Sequence, residues 1–458
     1  MRTYNPILNT DSYKLSQWQQ YPPGTEYVYS YIESRGGQYD VLVNFGLQAF
    51  AREYLTVRIT QAMIEEAEPI IKAHGLPFNR EGWEYIVNKL EGRIPLEIRG
   101  LAEGTVIPTK NVLATVVNTD PKCWWVTSYF ETSILRAIWY ATTVATNSWH
   151  SKKVILQHLE NSGDPGLIDF KLHDFGARGV SSFESATLGG MAHLINFMGT
   201  DTVSGVMAAM EYYDAEVSGF SIPAMEHSTV TSWGREHEED AYRNMLDKYA
   251  KKGALLAAVS DSYDIYAAAK MWGTTLKQQV IDSGAIVVIR PDSGEPASVC
   301  TEVARILDHH FGSVVNGKGY KVLNNVRIIQ GDGITTEMIR RILFSLETAG
   351  YSADNIAFGQ GGALLQQVNR DTLEFAMKCS AIKVAGETEW RDVYKQPVDM
   401  PSKNSKRGRM SLVIEKGEWA TVPFSDMGHD HLTFRFFNGT LWNETTFEQV
   451  RTRAKEGL

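Results

Sequence analysis

The feature that most constrains the fold is a repeated order of segments that begins at Ile168. A short apolar run is followed by a polar, often glycine-rich loop and then by a helix-like stretch. Short apolar runs that alternate with helices are typical of buried parallel strands. The runs are Ile168–Leu172, Phe197–Val203, Gly219–Pro223, Leu255–Val259, Ala285–Ile289, Val326–Ile329, Asn355–Phe358 and Ala376–Val384.

About eight strands separated by helices are the number that a (β/α)8 barrel requires. An open, doubly wound sheet produces a similar alternation, so closure of the barrel is an inference from the strand number. Residues 93–118 and 410–441 have the alternation and the turns of antiparallel strands, with FFNG as a hairpin signal, whereas residues 45–90 have a helical pattern.

We therefore predict an α/β fold: an irregular (β/α)8-type barrel with a second β-rich domain built from both chain ends and a helical region. The predicted domains are residues 1–165 (an N-terminal β-rich and helical region), 166–385 (the α/β barrel) and 386–458 (a C-terminal β-rich segment that joins the N-terminal region).

Composition excludes several classes of protein. The formal net charge of −9 argues against a dedicated nucleic-acid binder, whose surface is usually basic. The three cysteines, Cys123, Cys300 and Cys379, form no CxxC pair, which argues against a disulfide framework and a thiolate zinc site. We find neither a secretory leader nor an apolar stretch of membrane-spanning length. We therefore expect a cytoplasmic protein with neither a membrane nor a nucleic-acid polymer as partner.

Polar residues gather where the predicted strands end, which in such barrels is the edge that carries active sites. Glycine turns at a helix start expose N–H groups to anions, arginines hold phosphates by paired contacts, and aspartates among them suggest Mg²⁺. The pattern thus predicts a site for a phosphorylated ligand with a metal ion. The loop residues are His173, Asp174, Phe175, Arg178, Glu226, His227, Asp261, Arg290, Asp292, Asp332, Gly361 and Gly362, with Arg370 and Lys378 downstream.

Each of these loops also has an ordinary structural interpretation. Phe175 is a core aromatic residue by default, and its place in a loop is what makes a stacking platform plausible. Ser228 or Thr229 after His227 fits a helix N-cap, with Glu226 favouring the helix dipole. Residues 292–294 and 331–333 fit ordinary turns. The functional interpretation therefore depends on the set of loops and not on any one of them.

The residues resemble the nicotinamide phosphoribosyltransferases, a branch of the type II phosphoribosyltransferase family. The segments that carry this resemblance occur in the family's order over nearly the whole chain. They are NTDSYKLSQWQQYPPGTEYVYSY, KLHDFGARGVSS, GTDTVSG, SIPAMEHSTVTSWG, VSDSYDIY, IRPDSGEP, IQGDGI and AFGQGGALLQ. Ala177 departs from the aromatic residue found at this place in animal members, which points to a bacterial-type member.

The resemblance implies an enzyme that condenses nicotinamide with 5-phosphoribosyl 1-pyrophosphate to nicotinamide mononucleotide and pyrophosphate, in NAD salvage. It implies a homodimer with shared active sites, Mg²⁺ as cofactor, and ATP as a phosphoryl donor to a histidine, here His227. Phe175 and, from the partner subunit, Tyr13 would stack on the nicotinamide ring. Asp201 would accept a hydrogen bond from its carboxamide.

The remaining roles also come from the resemblance. Asp261 and Asp292 would lie near Mg²⁺ and, with His227, form the catalytic group. Substrate-binding roles would fall to Arg178, Ser221, Arg290, Gly331, Asp332, Gly361, Gly362, Arg370 and Lys378, and to Arg35 from the partner subunit.

Three alternatives stay open. A nicotinate phosphoribosyltransferase shares the fold and the donor, and Asp201 discriminates against it because an ionised carboxylate repels the carboxylate of nicotinate. A non-catalytic binding protein on the same scaffold would be expected to lose its phosphate-holding residues, yet these are present. A glycosidase would need two carboxylates flanking one bond, and the sequence singles out no such pair.

Overall fold

A computed structural model of the chain describes residues 4–396, 398, 405–424 and 429–458. The chain forms two compact units. The antiparallel unit comprises Met1–Thr146, Glu211–Ala215 and Asn369–Gly457, and the barrel unit comprises Asn147–Met210, Glu216–Val368 and Leu458. The main boundaries between the two units lie at residues 146–147 and 368–369. The domain boundaries predicted from the sequence fall after residues 165 and 385.

Strands of the described residues are numbered in chain order. They are β1 Thr25–Ser34, β2 Val41–Val43, β3 Leu96–Gly100, β4 Val106–Pro108, β5 Val112–Asn118, β6 Leu172–Asp174, β7 Gly199–Thr200, β8 Leu255–Val259, β9 Ile286–Arg290, β10 Ser313–Val315, β11 Lys321–Leu323, β12 Val326–Gln330, β13 Ile356–Gln360, β14 Phe375–Val384, β15 Arg391–Asp392, β16 Met410–Glu415, β17 Glu418–Pro423, β18 Thr433–Phe437 and β19 Thr440–Leu441.

Helices are numbered in the same way. They are α1 Leu47–Phe50, α2 Gln61–Ala73, α3 Arg80–Lys89, α4 Val126–Tyr129, α5 Glu131–Ser162, α6 Phe183–Leu194, α7 Val203–Tyr213, α8 His227–Thr231, α9 Glu238–Tyr249, α10 Ile265–Gly273, α11 Lys277–Ser283, α12 Pro296–Phe311, α13 Thr336–Thr348, α14 Gly362–Leu365 and α15 Phe447–Glu456. Within the part of the chain that the structure describes, no helix has the length and apolar character needed to cross a bilayer.

The barrel unit is built on a parallel sheet with the strand order β7-β6-β13-β12-β9-β8. Single parallel bridges join Gly199 to Phe220 at one edge and Ala224 to Ala257 at the other, so residues 220–224 close the sheet into a ring. This segment forms no full strand, although Gly219–Pro223 is predicted as one. Pro223 has no N–H to donate, which is one reason for the short pairing.

Apolar runs build this unit because both faces of its strands are covered. The runs of β9 and β12 are rich in valine and isoleucine and mostly buried. Outside the sheet, α12 directs Val299, Val303 and Leu307 to its buried side, at the spacing of one helix face. Burial on both sides leaves the loops at the strand ends as the accessible part of the sheet.

The antiparallel unit holds a sheet with the order β15-β14-β1-β5-β3-β18-β19, which combines strands from both ends of the chain. The β18–β19 hairpin turns at Asn438 and Gly439, both with positive φ, as predicted from FFNG. The run Ala376–Val384 corrects one prediction, because it belongs to β14 and pairs with β1 here instead of forming a barrel strand. A parallel α/β barrel with a β-rich and helical second region is otherwise confirmed.

Candidate functional site

The ends of strands β6 and β7 place two predicted residues side by side. Asp174 pairs with Thr200 across these strands, so Phe175 and Asp201 are the next residues on adjoining strand ends. The Ser221 hydroxyl donates to Asp201 Oδ1 at 2.7 Å. Asp201 and Ser221 are both exposed, so this carboxylate with a fixed hydroxyl partner is open to a ligand.

Phe175 lies over the carboxyl ends of the barrel strands. Its N–H donates to the Gln360 carbonyl at 3.0 Å, and its ring packs against a small cluster of buried residues that includes Val288 and Ile329. A Cβ at Gly359 would lie 2.0 Å from the ring, so the ring needs a glycine there. The half-buried ring is thereby held in place, with the Arg290 guanidinium carbon 5.6 Å from its centroid.

Asp174 connects these groups, a role that its place in the sequence does not reveal. Its buried carboxylate accepts a hydrogen bond from the Gly176 N–H at 2.7 Å, and its carbonyl accepts one from the Asp201 N–H at 2.9 Å. The pKa of Asp174 is raised to about 6, chiefly by burial and to a smaller extent by the neighbouring Asp201, which together outweigh the lowering effect of its hydrogen bonds. Asp174 thus fixes the Phe175 loop relative to Asp201.

A second group lies at the ends of β8 and β9. Val259 and Arg290 are paired across these strands, and Asp261 and Asp292 each follow two residues later. His227 at the start of α8 contacts Asp261, with Nε2 to Oδ1 at 2.8 Å, and is half-exposed. The Arg290 Nη2 donates to both oxygens of Asp292 at 2.9 and 2.8 Å.

These two carboxylates are the candidate metal ligands. Within the described residues, no group of three or more His, Cys, Asp or Glu side chains is arranged to hold a metal ion. Mg²⁺ is commonly bound by one or two carboxylates together with waters and substrate phosphates. Asp261 and Asp292 on adjoining strand ends supply oxygen donors of the kind that magnesium takes, with Asp292 bonded to Arg290 and Asp261 to His227 in this structure.

In the glycine loop after β12, two backbone N–H groups are already hydrogen-bonded within the protein. Gln330, which was not predicted from the sequence, is fully buried and accepts hydrogen bonds from the N–H groups of Gly331 and Asp332 at 2.7 and 3.1 Å. These two amides already have a partner, and Asp332 is exposed. A glutamine that ends an apolar strand just before Gly-Asp-Gly is the signal that could have revealed it.

The second glycine loop leads into α14. Gly361 precedes Gly362, the first residue of that helix, and both are partly exposed. Arg178 is exposed on the short turn Ala177–Gly179, which contacts α14. An arginine beside the start of a helix suits an anion.

The other four predicted residues belong to the antiparallel unit. Lys378 of β14 pairs with Tyr31 of β1. The Arg35 Nε donates to the Glu374 carbonyl at 3.3 Å. Burial lowers the pKa of Lys378, and the nearby cations Arg35, Lys14 and Arg370 lower it further, whereas Glu131 raises it. Four cationic side chains against one nearby carboxylate, Glu131, give this surface an excess of positive charge that suits an anion.

Tyr13 is the most exposed member of this group. Its side chain is 58% exposed, and the Lys14 ammonium lies 5.2 Å from its ring centroid. Lys14 itself is buried and paired with Glu131. Lys14 is thus anchored, while the ring next to it is presented outward with an open face.

Comparisons with known proteins agree with this arrangement. The model of the nicotinate phosphoribosyltransferase (NAPRTase) family matches residues 170–445, and that of the nicotinamide phosphoribosyltransferase N-terminal domain matches residues 5–98. The chain is 53% identical to the nicotinamide phosphoribosyltransferase of Xanthomonas campestris pv. campestris (strain 8004), over 98% of each chain. It is 30% identical to that of Acinetobacter baylyi, over 99% of this chain and 98% of the relative.

Solved structures support the fold. A nicotinate-nucleotide pyrophosphorylase from Pyrococcus furiosus matches with a TM-score of 0.64 at 16% identity, over 100% of this chain and 96% of that chain. Human nicotinic acid phosphoribosyltransferase matches with a TM-score of 0.59 at 16% identity, over 98% and 93%. From the family model and the two full-length relatives, we conclude that the chain belongs to the nicotinate phosphoribosyltransferase family, alongside its nicotinamide phosphoribosyltransferase relatives.

Proposed function

We propose that the chain is a nicotinamide phosphoribosyltransferase, a pentosyltransferase of NAD salvage. The ring nitrogen of nicotinamide attacks C1 of 5-phosphoribosyl 1-pyrophosphate, the C1–O bond to pyrophosphate breaks, and nicotinamide mononucleotide and pyrophosphate leave. The names of the full-length relatives support this reaction. The observation that carries it is the placement of Phe175 next to Asp201, with Ser221 donating to that carboxylate.

The choice of amide over acid follows from Asp201. Because Ser221 donates to one carboxylate oxygen, the group is oriented as an acceptor for the carboxamide N–H of nicotinamide. A carboxylate on the substrate would find no donor in Asp201 and would be repelled by its charge. Phe175 stacks on the pyridine ring and aligns its nitrogen, which needs no general base since it already carries a lone pair.

The remaining residues act on the leaving group. The transition state is oxocarbenium-like, with charge accumulating on the departing pyrophosphate. Arg290 and Arg178 would offer guanidinium N–H groups to the phosphates, and Lys378 and Arg370, with Arg35 contributed from the partner subunit, would add positive charge. The carboxylates of Asp261 and Asp292 would hold a magnesium ion, which when bound neutralises phosphate charge.

His227 has the geometry of a phosphoryl acceptor. The tautomer that donates Nε2–H to Asp261 keeps the Nδ1 lone pair available, and the ring is half-exposed. Attack of Nδ1 on the γ-phosphorus of ATP would release ADP and leave a phosphoimidazolium whose proton Asp261 holds. The added charge close to Asp261 and its metal ion would order the site and enhance turnover.

We further propose a homodimer with shared active sites in the cytoplasm. The exposed ring of Tyr13 suits a residue that completes a partner's site, because an open aromatic face can stack on a substrate ring. All three cysteines are free thiols, which suits a reducing compartment.

The amide assignment is tested by assaying nicotinamide and nicotinate side by side. We expect pyrophosphate release with nicotinamide to exceed that with nicotinate by about 100-fold or more in kcat/KM, in line with a lost hydrogen bond and like-charge repulsion. Asp201→Asn should narrow the ratio of the two kcat/KM values, with Asp282→Asn, at an exposed surface carboxylate bonded to Gln278, as a control for removal of an acidic group elsewhere. Equal turnover of the two substrates would refute the assignment.

The shared site is tested by mixing two inactive variants. Tyr13→Ala and Phe175→Ala remove opposite faces of the proposed ring sandwich, so a mixed dimer would rebuild one intact site. We expect activity to return after the two proteins are unfolded and refolded together. If the mixture stays as inactive as each variant alone, Tyr13 does not serve a partner's site.

The role of His227 is tested with His227→Ala. We expect some basal synthesis of nicotinamide mononucleotide and no stimulation by ATP. His237→Ala is the matched control, since His237 also contacts an aspartate, Asp240, at 2.7 Å on the surface. An unchanged response of His227→Ala to ATP would exclude the phosphoryl-acceptor role.

A further inference from the structure

The antiparallel unit contains a pocket that none of the proposed roles uses. Its cavity is about 340 Å³. The floor is one face of the sheet: Tyr29 pairs with Val117 of β5, and Arg99 of β3 pairs with Thr115 of β5. Because alternate residues of a strand point to the same side, these side chains line one surface. The volume is within the range of small-molecule sites.

The acidic residues of the pocket are already engaged. Glu97 accepts a hydrogen bond from the Arg99 Nε at 2.8 Å, and the Arg99 guanidinium carbon lies 4.2 Å from the ring centroid of Phe434. Asp430 Oδ1 accepts from the N–H groups of Leu412 and Leu432 at 3.0 and 2.9 Å. The negative charge of Glu97 is therefore compensated by Arg99, and Asp430 is held by backbone N–H groups through Oδ1.

Arg409 is the opposite case. Its guanidinium carbon lies 3.9 Å from the ring centroid of Phe424 and 5.3 Å from that of Trp390. Among the described residues, it is the neighbouring Arg407 that approaches a carboxylate, Asp392, at 4.0 Å, whereas the contacts of the Arg409 guanidinium are with aromatic rings. A guanidinium held against aromatic rings keeps its N–H edge available, and that edge matches a carboxylate or phosphate by two parallel hydrogen bonds.

Aromatic rings surround this cation. Trp390 lies 6.1 Å from Tyr27 and 6.2 Å from Tyr29 between ring centroids, and neither pair is stacked face to face. Rings arranged in this way can stack on or meet the edge of a planar guest. We propose that this pocket is a second ligand site, which binds a small aromatic molecule that carries one carboxylate or phosphate group. Arg409 takes the anion and the rings hold the aromatic part.

The test uses two probes on the full-length protein. 4-Fluorobenzoate, followed by fluorine NMR, represents aromatic carboxylates, and AMP, followed by calorimetry, represents mononucleotides. We expect at least one probe to bind with a Kd of about 1 mM or tighter. Arg409→Gln should weaken it at least about tenfold, and Arg409→Lys should weaken it less, since lysine keeps the charge and loses the paired geometry.

Two control variants distinguish this pocket from binding elsewhere on the protein. Arg407→Gln makes the same charge change two residues away, at a side chain that faces Asp392, and should leave binding unchanged. Phe175→Ala removes the proposed catalytic platform and should also leave it unchanged. The proposal is overturned if neither probe binds at about 10 mM. It is also overturned if Arg409→Gln, with an unaltered melting temperature, binds like the wild type, or if Phe175→Ala abolishes binding.

Discussion

In the barrel unit the candidate residues are held by partners close in sequence or on the adjoining strand, whereas in the antiparallel unit they depend on the meeting of two distant chain ends. Arg290 binds Asp292, two residues on, while Arg35 reaches the carbonyl of Glu374. A site on parallel strand ends is therefore set by the common direction of the strands, and the cationic residues of the antiparallel unit are brought together by the register of β1 against β14.

The largest expected effect is on the free energy of unfolding, from a substitution that disrupts the contact between the N-terminal and C-terminal parts of the antiparallel unit. Gly37 has a φ of +96°, and a Cβ there would lie 2.3 Å from the Thr372 carbonyl oxygen. We expect Gly37→Ala to lower the free energy of unfolding by about 4 kcal/mol, from backbone strain and steric overlap together. Gly36→Ala is the control for backbone strain alone, because Gly36 also has a positive φ but the atom nearest to a new Cβ there would be 3.9 Å away. Equal losses in urea unfolding would show that the contact with Thr372 is unimportant.

In the barrel unit the comparable glycine should affect catalysis more than stability. A Cβ at Gly359 would overlap the Phe175 ring, which is half-buried and can rotate away. We expect Gly359→Ala to reduce kcat/KM for nicotinamide about 100-fold, or about 2.7 kcal/mol, with little change in melting temperature. Gly317→Ala, which has no atom within 4 Å of a new Cβ, is the control. Normal activity of Gly359→Ala would show that the position of the Phe175 ring does not affect catalysis.

The barrel unit should also lose stability in acid through His193. The ring is buried, with Ser148 Oγ 3.0 Å from Nδ1 and the Gly199 carbonyl 3.1 Å from Nε2, and burial lowers its pKa to about 3. The neutral ring stabilises the fold above the ordinary pKa of 6.5, and this stabilisation is lost as the pH falls toward 3.

The loss should reach about 2 kcal/mol between about pH 6.5 and about pH 5. Urea unfolding at both pH values measures it, and His193→Gln should lose that part of the pH dependence. If His193→Gln loses as much unfolding free energy in acid as the wild type, groups other than His193 cause the loss.

Neutralising a surface partner should have the smallest effect. Arg370 and Asp371 form an exposed ion pair at 2.9 Å. We expect Asp371→Asn to change the free energy of unfolding by less than about 1 kcal/mol, as is usual for such pairs. Because it leaves Arg370 unpaired, KM for the phosphoribosyl donor should fall about twofold. A rise in KM would argue that Arg370 does not contact the donor.

The same contrast between the two units accounts for what could be predicted from the sequence. The loops of the barrel unit were accessible to sequence reasoning because the carboxyl ends of parallel strands meet at one edge whatever their order. The apolar run of β14 carries no information on its partner strand, so it was assigned to the barrel and lies beside β1. Long-range antiparallel pairing leaves no periodic trace in either strand alone.

Buried residues that accept hydrogen bonds from nearby backbone N–H groups are the second kind of feature that could not be predicted from the sequence. Gln330 and Asp174 act by accepting backbone N–H groups next to them, a role that their positions in the pattern do not distinguish from ordinary polar residues. Residues proposed to contact substrate directly, such as Phe175 and Asp201, were predicted from a resemblance that spans many motifs, and their roles remain predictions until assayed.

The way the barrel closes has a consequence for recognition. The ring is fastened between Phe220 and Thr200 on one side and between Pro223 and Ala257 on the other, where backbone N–H groups donate across the gap at 3.0 and 2.9 Å. Two further backbone bonds complete this short seam: the Phe220 N–H donates to the Met198 carbonyl at 2.7 Å, and the Met225 N–H donates to the Ala257 carbonyl at 2.9 Å. Ser221 lies within this seam, so the segment that closes the ring also positions the hydroxyl that donates to Asp201. Closure of the barrel and the proposed discrimination of amide from acid therefore depend on the same short segment.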